Sequence, residues 1–253
     1  MKYVTGGLSF LFKLWFGIWF YATLLLLYPF FRITLSNRKW FKANFRLKQL
    51  WSVLLQVGLL SWLWVKRKGK EPDEPAIYCS NHCSYLDIVF MYQVVRKPFI
   101  FMGKKELLKW PLFGDFFRFM DIPVDRNNGV SAARSLVKAR QYLNEGWSVA
   151  IFPEATIPDH APVMKGFRDG AFKLSTETGA PIVPISWLNN WQLFSDPDDR
   201  LGPAHPGIAK VVMHPVIDPK SYGSDYLSLS QDTHDVILEA VKSANKKQYE
   251  SYE

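Results

Sequence analysis

Apolar positions along this chain fall into two regimes. In the first 65 residues they form long runs: "LWFGIWFYATLLLLYPFF", residues 14–31, holds no charge, and neither does "LWSVLLQVGLLSWLWV", residues 50–65. From about residue 76 onward they come in short bursts. "AIYCS", "PFIFMG", "WSVAIFP", "PIVPISW" and "IAKVVMHPV" mostly lack period-two alternation and predict strands buried on both faces. Between them "LLKWPLFGDFFRFM", "SAARSLVKARQYLNEG" and "DGAFKLSTETG" predict helices, with Gly146 and Gly179 as C-terminal stops. "SQDTHDVILEAVKSANKKQ" predicts a last amphipathic helix, acids early and lysines late. Strands alternating with helices predict an α/β layered domain.

The early runs need a different reading. A spanning helix takes about twenty apolar residues, so the first run is marginal and the second short. The first is also too long and aromatic, and lacks the small-residue cleavage site, for a secretory signal. Between the runs, "RITLSNRKWFKANFRLK" carries Arg32, Arg38, Lys39, Lys42, Arg46 and Lys48 with no acid, and "KRKGK" follows the second run. Two full spans would place these basic stretches on opposite sides of a bilayer, against the positive-inside bias. A two-helix hairpin resting in one leaflet sets both at the same anionic surface and satisfies the charges better. A true span, or a pair of core helices, is the alternative. Trp15, Trp19, Trp40, Trp51, Trp62 and Trp64 suit a lipid–water interface. "GKEPDEP", residues 69–75, is a Pro-rich polar hinge. It divides an expected membrane-associated hairpin, 1–70, from a globular domain, 71–253.

The net charge of +8 could mean nucleic acid or anionic lipid. The aromatic residues, 16% of the chain, concentrate beside the apolar runs, and no RNA-binding aromatic signature or zinc-finger spacing accompanies the charge. Membrane lipids, not nucleic acid, are the expected partner. Cys79 and Cys83 flank His82 without a second cluster to complete four ligands, so no metal site is expected. Buried reduced thiols point to a cytosol-facing domain.

The sequence lacks the G-x-S-x-G, G-x-G-x-x-G, Walker and H-E-x-x-H patterns. What remains is polar residues at the ends of apolar strands, where ligands bind in open α/β sheets. In "SNHCSYLDI", His82 and Asp87 are five positions apart, about 140° around a helix. They meet only with His82 in the turn before a helix and Asp87 inside it. A carboxylate on one imidazole nitrogen would leave the other as a base; the alternative is a capped polar turn with Asn81 or Ser84 as the cap. Arg126, just past the short strand "IPV", could grip a phosphate or carboxylate or pair locally with Asp125. Glu154 follows "SVAIF" directly and could orient a catalytic group or cap a turn. Lys165, Arg168 and Lys173 sit near a helix start, among glycines that allow close approach of a ligand.

In order, these stretches resemble the glycerolipid acyltransferase superfamily, whose best-known members acylate lysophosphatidic acid. "NHCSYLD" fits its block N-H-x-S-x-x-D, and "KKELLKWPLFGDFFRFMDIPVDR" is similar to the second block, ending in its arginine. "FPEAT" resembles F-P-E-G-T-R, and "IVPIS" the block centred on V-P-I. The resemblance covers roughly residues 76–190. It implies a mixed, largely parallel sheet flanked by helices, with membrane-seating helices ahead of it at the cytoplasmic face of the inner membrane. It also implies an acyl transfer from acyl-CoA or acyl carrier protein to a lysolipid hydroxyl, without acyl-enzyme, metal or prosthetic cofactor. His82 would be the base and Asp87 its orienter. Arg126 would hold the acceptor's phosphate, and Glu154 and Thr156 would shape the acceptor pocket. Asn81, Ser84, Lys105, Lys165 and Arg168 complete the expected substrate-binding set.

Three positions depart from the pattern. Ala155 stands where the third block has glycine, and Ile157 where it has an arginine expected to contact phosphate. Lys165 or Arg168 then takes over that contact, or the acceptor is a lyso-aminolipid or a lysophospholipid bearing a head group. Asp121 stands where glycine is frequent. The segment 188–207, "LNNWQLFSDPDDRLGPAHPG", is expected to be a long irregular loop able to gate the acceptor.

Overall fold

A computed structural model describes residues 2–196 and 199–252. Seven strands form one sheet: β1 (Trp62–Arg67), β2 (Ile77–Ser80), β3 (Phe99–Lys104), β4 (Ile122–Val124), β5 (Ser148–Ile151), β6 (Ile182–Trp187) and β7 (Ile208–Met213). Their spatial order is β1-β7-β6-β2-β5-β3-β4. Every neighbouring pair is parallel except β6 and β7. The sheet is therefore mixed and largely parallel, as expected. Its central strands β2 and β6 are buried along their whole length, which explains why their sequences read as unbroken apolar runs.

The helices are α1 (Lys2–Leu35), α2 (Phe41–Gly58), α3 (Leu86–Val94), α4 (Gly114–Phe119), α5 (Gly129–Asn144), α6 (Gly170–Thr178), α7 (Asn190–Leu193), α8 (Tyr226–Ala244) and α9 (Lys246–Glu250). Gly179 closes α6 in the left-handed conformation, at φ 71°. The single helix expected over "LLKWPLFGDFFRFM" is instead a 3-10 turn, Lys105–Lys109, and then α4. Pro111 and Leu112, the latter at φ 61°, break it.

The second apolar run is not one membrane helix. It splits: α2 ends at Gly58, and Trp62–Arg67 form β1 at the sheet edge. Gly58 lies so close to Trp19 that a Cβ there would sit 2.0 Å from the indole, so the ring packs directly on the backbone of α2. Beyond it, "WLWVKR" alternates exposed and half-buried positions, the period of an edge strand rather than a helix. β1 lies before residue 70 and yet pairs with β7. Part of the basic "KRKGK" thus belongs to the sheet, with Arg67 paired to Glu71 at 3.1 Å.

α1 and α2 do form an antiparallel pair, cross-linked by tryptophans expected at the lipid interface. Trp15 Nε1 donates to Gly58 O at 2.8 Å, Trp19 Nε1 to Leu54 O at 2.8 Å and Trp51 Nε1 to Thr23 Oγ1 at 3.0 Å. Trp51 is buried, whereas Trp40, Trp62 and Trp64 are exposed. Lys48, also expected at the surface, is buried. α1 keeps one face on the protein through Phe16, Leu24, Phe31 and Leu35 and exposes another bearing Leu11, Ile18, Leu25, Leu26 and Phe30. Its stretch Gly6–Leu35 is long and apolar enough to cross a membrane. Within the loop expected at 188–207, α7 forms and Phe194 bridges to Ala204; residues 197 and 198 lie outside the described residues.

Candidate active site

Four parallel strands deliver polar groups to one edge of the sheet. β2 ends at Ser80 and leads to His82; β5 leads to Phe152 and Glu154; β6 leads to Asn190; β4 leads to Arg126. This is the carboxyl edge, where open α/β sheets bind ligands.

His82 lies in the turn ahead of α3, and Asp87 is that helix's second residue. Asp87 Oδ2 is 3.0 Å from His82 Nδ1 and accepts the backbone N–H groups of Cys83 (2.7 Å) and Ser84 (2.9 Å). One carboxylate thus ties the turn ahead of α3 together and fixes the imidazole. A carboxylate only accepts, so Nδ1 carries the hydrogen that faces Asp87. Asp87 Oδ1 accepts from Asn190 Nδ2 at 2.8 Å. The His82 ring stacks on Phe152, centroids 4.1 Å apart and 18° between planes. The imidazole is held on both its edge and its face.

Glu154 holds the turn from beneath. Its Oε1 accepts His82 N–H and its Oε2 accepts Lys165 N–H, both at 2.8 Å. Burial pushes its carboxyl up to about 7, against these two N–H bonds and the Lys165 charge; nearby Asp87 adds to the rise. Glu154 therefore clamps two loops together by their backbones. Ala155 beside it has φ 67°, left-handed and strained by its Cβ, which accounts for glycine at this position in the resembled block.

A cavity of about 700 Å³ opens at His82. Tyr85, Phe101, Trp110, Arg126 and Ile157 line it near the dyad, and it continues between α1, α2, α3 and α4 along apolar walls. Arg126 Nη1 is buried without a hydrogen-bond partner. Burial lowers its pKa, with Glu106 opposing and Arg168 reinforcing the shift.

The other expected site residues are placed differently. Asn81 is buried and clamps β6, donating to Trp187 O at 3.0 Å and accepting its N–H at 2.8 Å. Ser84 Oγ donates to Phe194 O at 2.6 Å. Both polar side chains are bonded within the protein rather than offered to a substrate. Lys105 faces Asp125, leaving Arg126 unpaired with its neighbour. Lys165 points its ammonium at Asp159, 3.8 Å away, while exposed Arg168 is near enough to act on Arg126. Thr156 is half-buried, its hydroxyl 3.4 Å from Ile157 O. Cys83, next to His82, is no nucleophile: burial, and then Asp87, push its thiol pKa far up.

Sequence reasoning missed Asn190 and the ring contact of Phe152. Asn190 carried the usable signal, a polar residue just past the apolar strand "PIVPISW".

A family model described as Acyltransferase matches residues 47–187, more than half of the chain. The chain belongs to the acyltransferase family. A 1-acyl-sn-glycerol-3-phosphate acyltransferase of Chlamydomonas reinhardtii is 32% identical over 149 residues, covering 58% of this chain and 44% of that protein. The enzyme of that name from Escherichia coli K12 is 30% identical over 152 residues, covering 59% of this chain and 60% of its own length. The matched stretch thus spans less than two thirds of either relative. The crystal structure of the 1-acyl-sn-glycerophosphate (LPA) acyltransferase PlsC from Thermotoga maritima shares the fold, with TM-score 0.74 over 96% of this chain and 97% of that one, at 23% identity.

Proposed function

We propose that this acyltransferase moves a fatty acyl group from a thioester, acyl-CoA or acyl carrier protein, to the free hydroxyl of 1-acyl-glycerol-3-phosphate, giving phosphatidic acid. The observation that carries the reading is the His82–Asp87 dyad at the mouth of an apolar cavity that also presents Arg126, whose buried Nη1 has no hydrogen-bond partner. His82 Nε2 takes the proton of the acceptor hydroxyl as its oxygen attacks the thioester carbonyl. The tetrahedral intermediate collapses, the C–S bond breaks, and the departing thiolate takes the proton back from His82. Asp87 holds the imidazole's hydrogen on Nδ1 and steadies the imidazolium between the two transfers. Base catalysis supplies about 10²–10⁴-fold, and positioning by Arg126 and the cavity supplies much of the rest. The apolar cavity suits an acyl chain, and the scheme needs no metal or prosthetic group.

Association with one leaflet fits the exposed face of α1. α1 is bound along its length to the α/β layer: Phe16 packs on Phe194, Phe31 on Phe116, and Tyr28 and Arg32 both reach Asp115. A helix so tied lies on the domain rather than leaving it.

Ile157 supports a second reading, the same chemistry on another lysolipid. It lines the cavity near Arg126 where the resembled block has a phosphate-binding arginine, so the acceptor site has one cation fewer. Purified enzyme offered a panel of lysolipids with acyl-CoA and acyl carrier protein donors separates the two readings. Lysophosphatidic acid should give product, and His82→Ala should abolish it. Product from another lysolipid alone would overturn the acceptor; full rate in His82→Ala would overturn the mechanism.

A further inference from the structure

Two features of the sequence take no part in this chemistry. Lys48 belongs to a basic stretch expected at a lipid surface, and Asp121 replaces a frequent glycine. They meet inside the protein: Lys48 Nζ lies 2.7 Å from Asp121 Oδ2, and each side chain is 3% exposed. Both line the same cavity as His82 and Arg126.

They sit apart from Arg126 along that cavity. Asp121 directly precedes β4 and Arg126 follows it, so at about 3.3 Å per extended residue they are on the order of 15 Å apart. β3 agrees: Phe101 N–H donates to Asp121 Oδ1 at 3.1 Å, whereas Lys104 pairs with Val124 near Arg126. Around the pair the walls are aromatic, with Lys48 Nζ 4.8 Å from the Phe116 ring centre and 5.5 Å from that of Tyr92.

An ion pair in such a wall has lost its water, and a hydrophobic pair of equal volume would serve stability as well or better. An ammonium has three N–H donors, of which Asp121 takes one. An alkyl chain end laid against the pair would complete its dehydration and return no bond. A hydroxyl fits both partners, accepting from Lys48 and donating to Asp121. A ketone could only accept, and a carboxylate would meet the charge of Asp121.

We propose that Lys48 and Asp121 form a binding site for a hydroxyl group on the far part of a fatty acyl chain, making this an acyltransferase selective for hydroxylated chains. The proposal rests on reading the cavity as the chain site; the chain belongs to either the thioester donor or the lysolipid acceptor.

Transfer by the full chain is measured with the two substrates varied separately. One arm compares ω-hydroxyacyl-CoA with plain acyl-CoA of equal length on a common lysophosphatidic acid. The other compares ω-hydroxyacyl with plain lysophosphatidic acid under a common donor. The arm that shows a preference of about tenfold or more in kcat/KM, the size of one hydrogen bond to a charged group, identifies which chain occupies the cavity. Lys48→Met alone would strand a buried carboxylate, so the pair is changed together. Lys48→Met/Asp121→Asn keeps an acceptor for Phe101 N–H and should erase the preference. No preference in either arm, or one that survives in the double variant, overturns the proposal. Trp51, also in the lining, reports binding without turnover. Fluorescence titration with ω-hydroxy and plain fatty acids should give the same ratio in the wild type and lose it in the variant. Equal binding of both acids by the wild type defeats the site, whereas a chain that binds selectively yet acylates no lysolipid defeats only the proposed reaction.

Discussion

Asn190 Nδ2 donates to Asp87 Oδ1 at 2.8 Å, while the other oxygen of Asp87 faces His82. The carboxylate is thus gripped from both sides, and its angle to the imidazole is set by a residue 103 positions away in sequence. Asn190→Ala should lower kcat by about tenfold or more, the worth of a hydrogen bond to a charged group, with KM unchanged. Asn190→Ser keeps a donor and should recover part of the loss. Asn190→Asp sets a second carboxylate against the first and should be the most damaging. Steady-state kinetics on the three variants decide it; an unchanged kcat in Asn190→Ala would show that Asp87 needs no such support.

Ile157 and Arg126 line one cavity, and of the two only Arg126 carries charge. For a phosphomonoester acceptor, Ile157→Arg should raise kcat/KM about tenfold by adding a charge-assisted contact. Arg126→Lys loses the bidentate fork and should lower kcat/KM by a similar factor. An Ile157→Arg variant that gains nothing on lysophosphatidic acid, but loses activity on another lysolipid, would favour the second acceptor.

Which parts of this arrangement the chain announced, and which it hid, has a physical basis. β2, β3, β5, β6 and β7 were legible because buried strands concentrate apolar residues into short unbroken runs. β1 was hidden by its tryptophans: Trp62 and Trp64 face outward from an edge strand, so the run looked like a continuation of the lipid-facing helix. The offset from His82 to Asp87 was readable because both lie within one turn–helix junction. Lys48 and Asp121 were not, because the contact that explains them joins α2 to the strand edge across 73 residues. Charge patterning alone sends a lysine to the surface unless its partner is known.

Ala155 holds φ 67° beside the Glu154 clamp. Left-handed geometry costs a non-glycine residue about 1 kcal/mol, against about 0.5–1 kcal/mol of extra chain entropy lost by glycine on folding. Ala155→Gly should therefore be neutral or slightly stabilising. Ala155→Val, with a branched Cβ, should lose more than about 1 kcal/mol and disturb Glu154. Chemical denaturation of both variants tests the pair; a Val variant as stable as the Gly variant would refute the strain.

Glu154 couples the clamp to pH. Its carboxyl titrates at about 7 when folded, above the ordinary 4.5, so the folded state holds the proton more tightly than the unfolded chain. Its contribution is fully present below about 4.5 and declines as pH rises towards 7, by about 3 kcal/mol across the window. Glu154→Gln removes this slope. The amide can accept only one of the two N–H bonds from His82 and Lys165, so the loops loosen and kcat should fall at least about tenfold. Denaturation at pH 5 and pH 7 should show wild type losing stability relative to the variant; parallel curves would place the titration elsewhere.

Attachment to lipid should depend on two separable surfaces. α1 exposes Leu25, Leu26 and Phe30, and each apolar side chain of this size gains about 1.5–3 kcal/mol on leaving water. Exposed Lys39, Lys42 and Arg46 add about 1 kcal/mol each near an anionic surface. Replacing the three cations with serine should weaken binding to anionic vesicles by about a hundredfold and leave neutral vesicles unaffected. Replacing the three apolar residues with glutamine should weaken binding to both. Because α1 is tied to the α/β layer at Phe16, Tyr28, Phe31 and Arg32 and seats only its apolar face, a high-salt wash should screen the cations and weaken binding to anionic vesicles to the level of the cation variant. Flotation of wild type and variants provides the measurement. Full retention after that wash, with the cation variant binding anionic vesicles as tightly as wild type, would mean that α1 parts from the domain and crosses the bilayer.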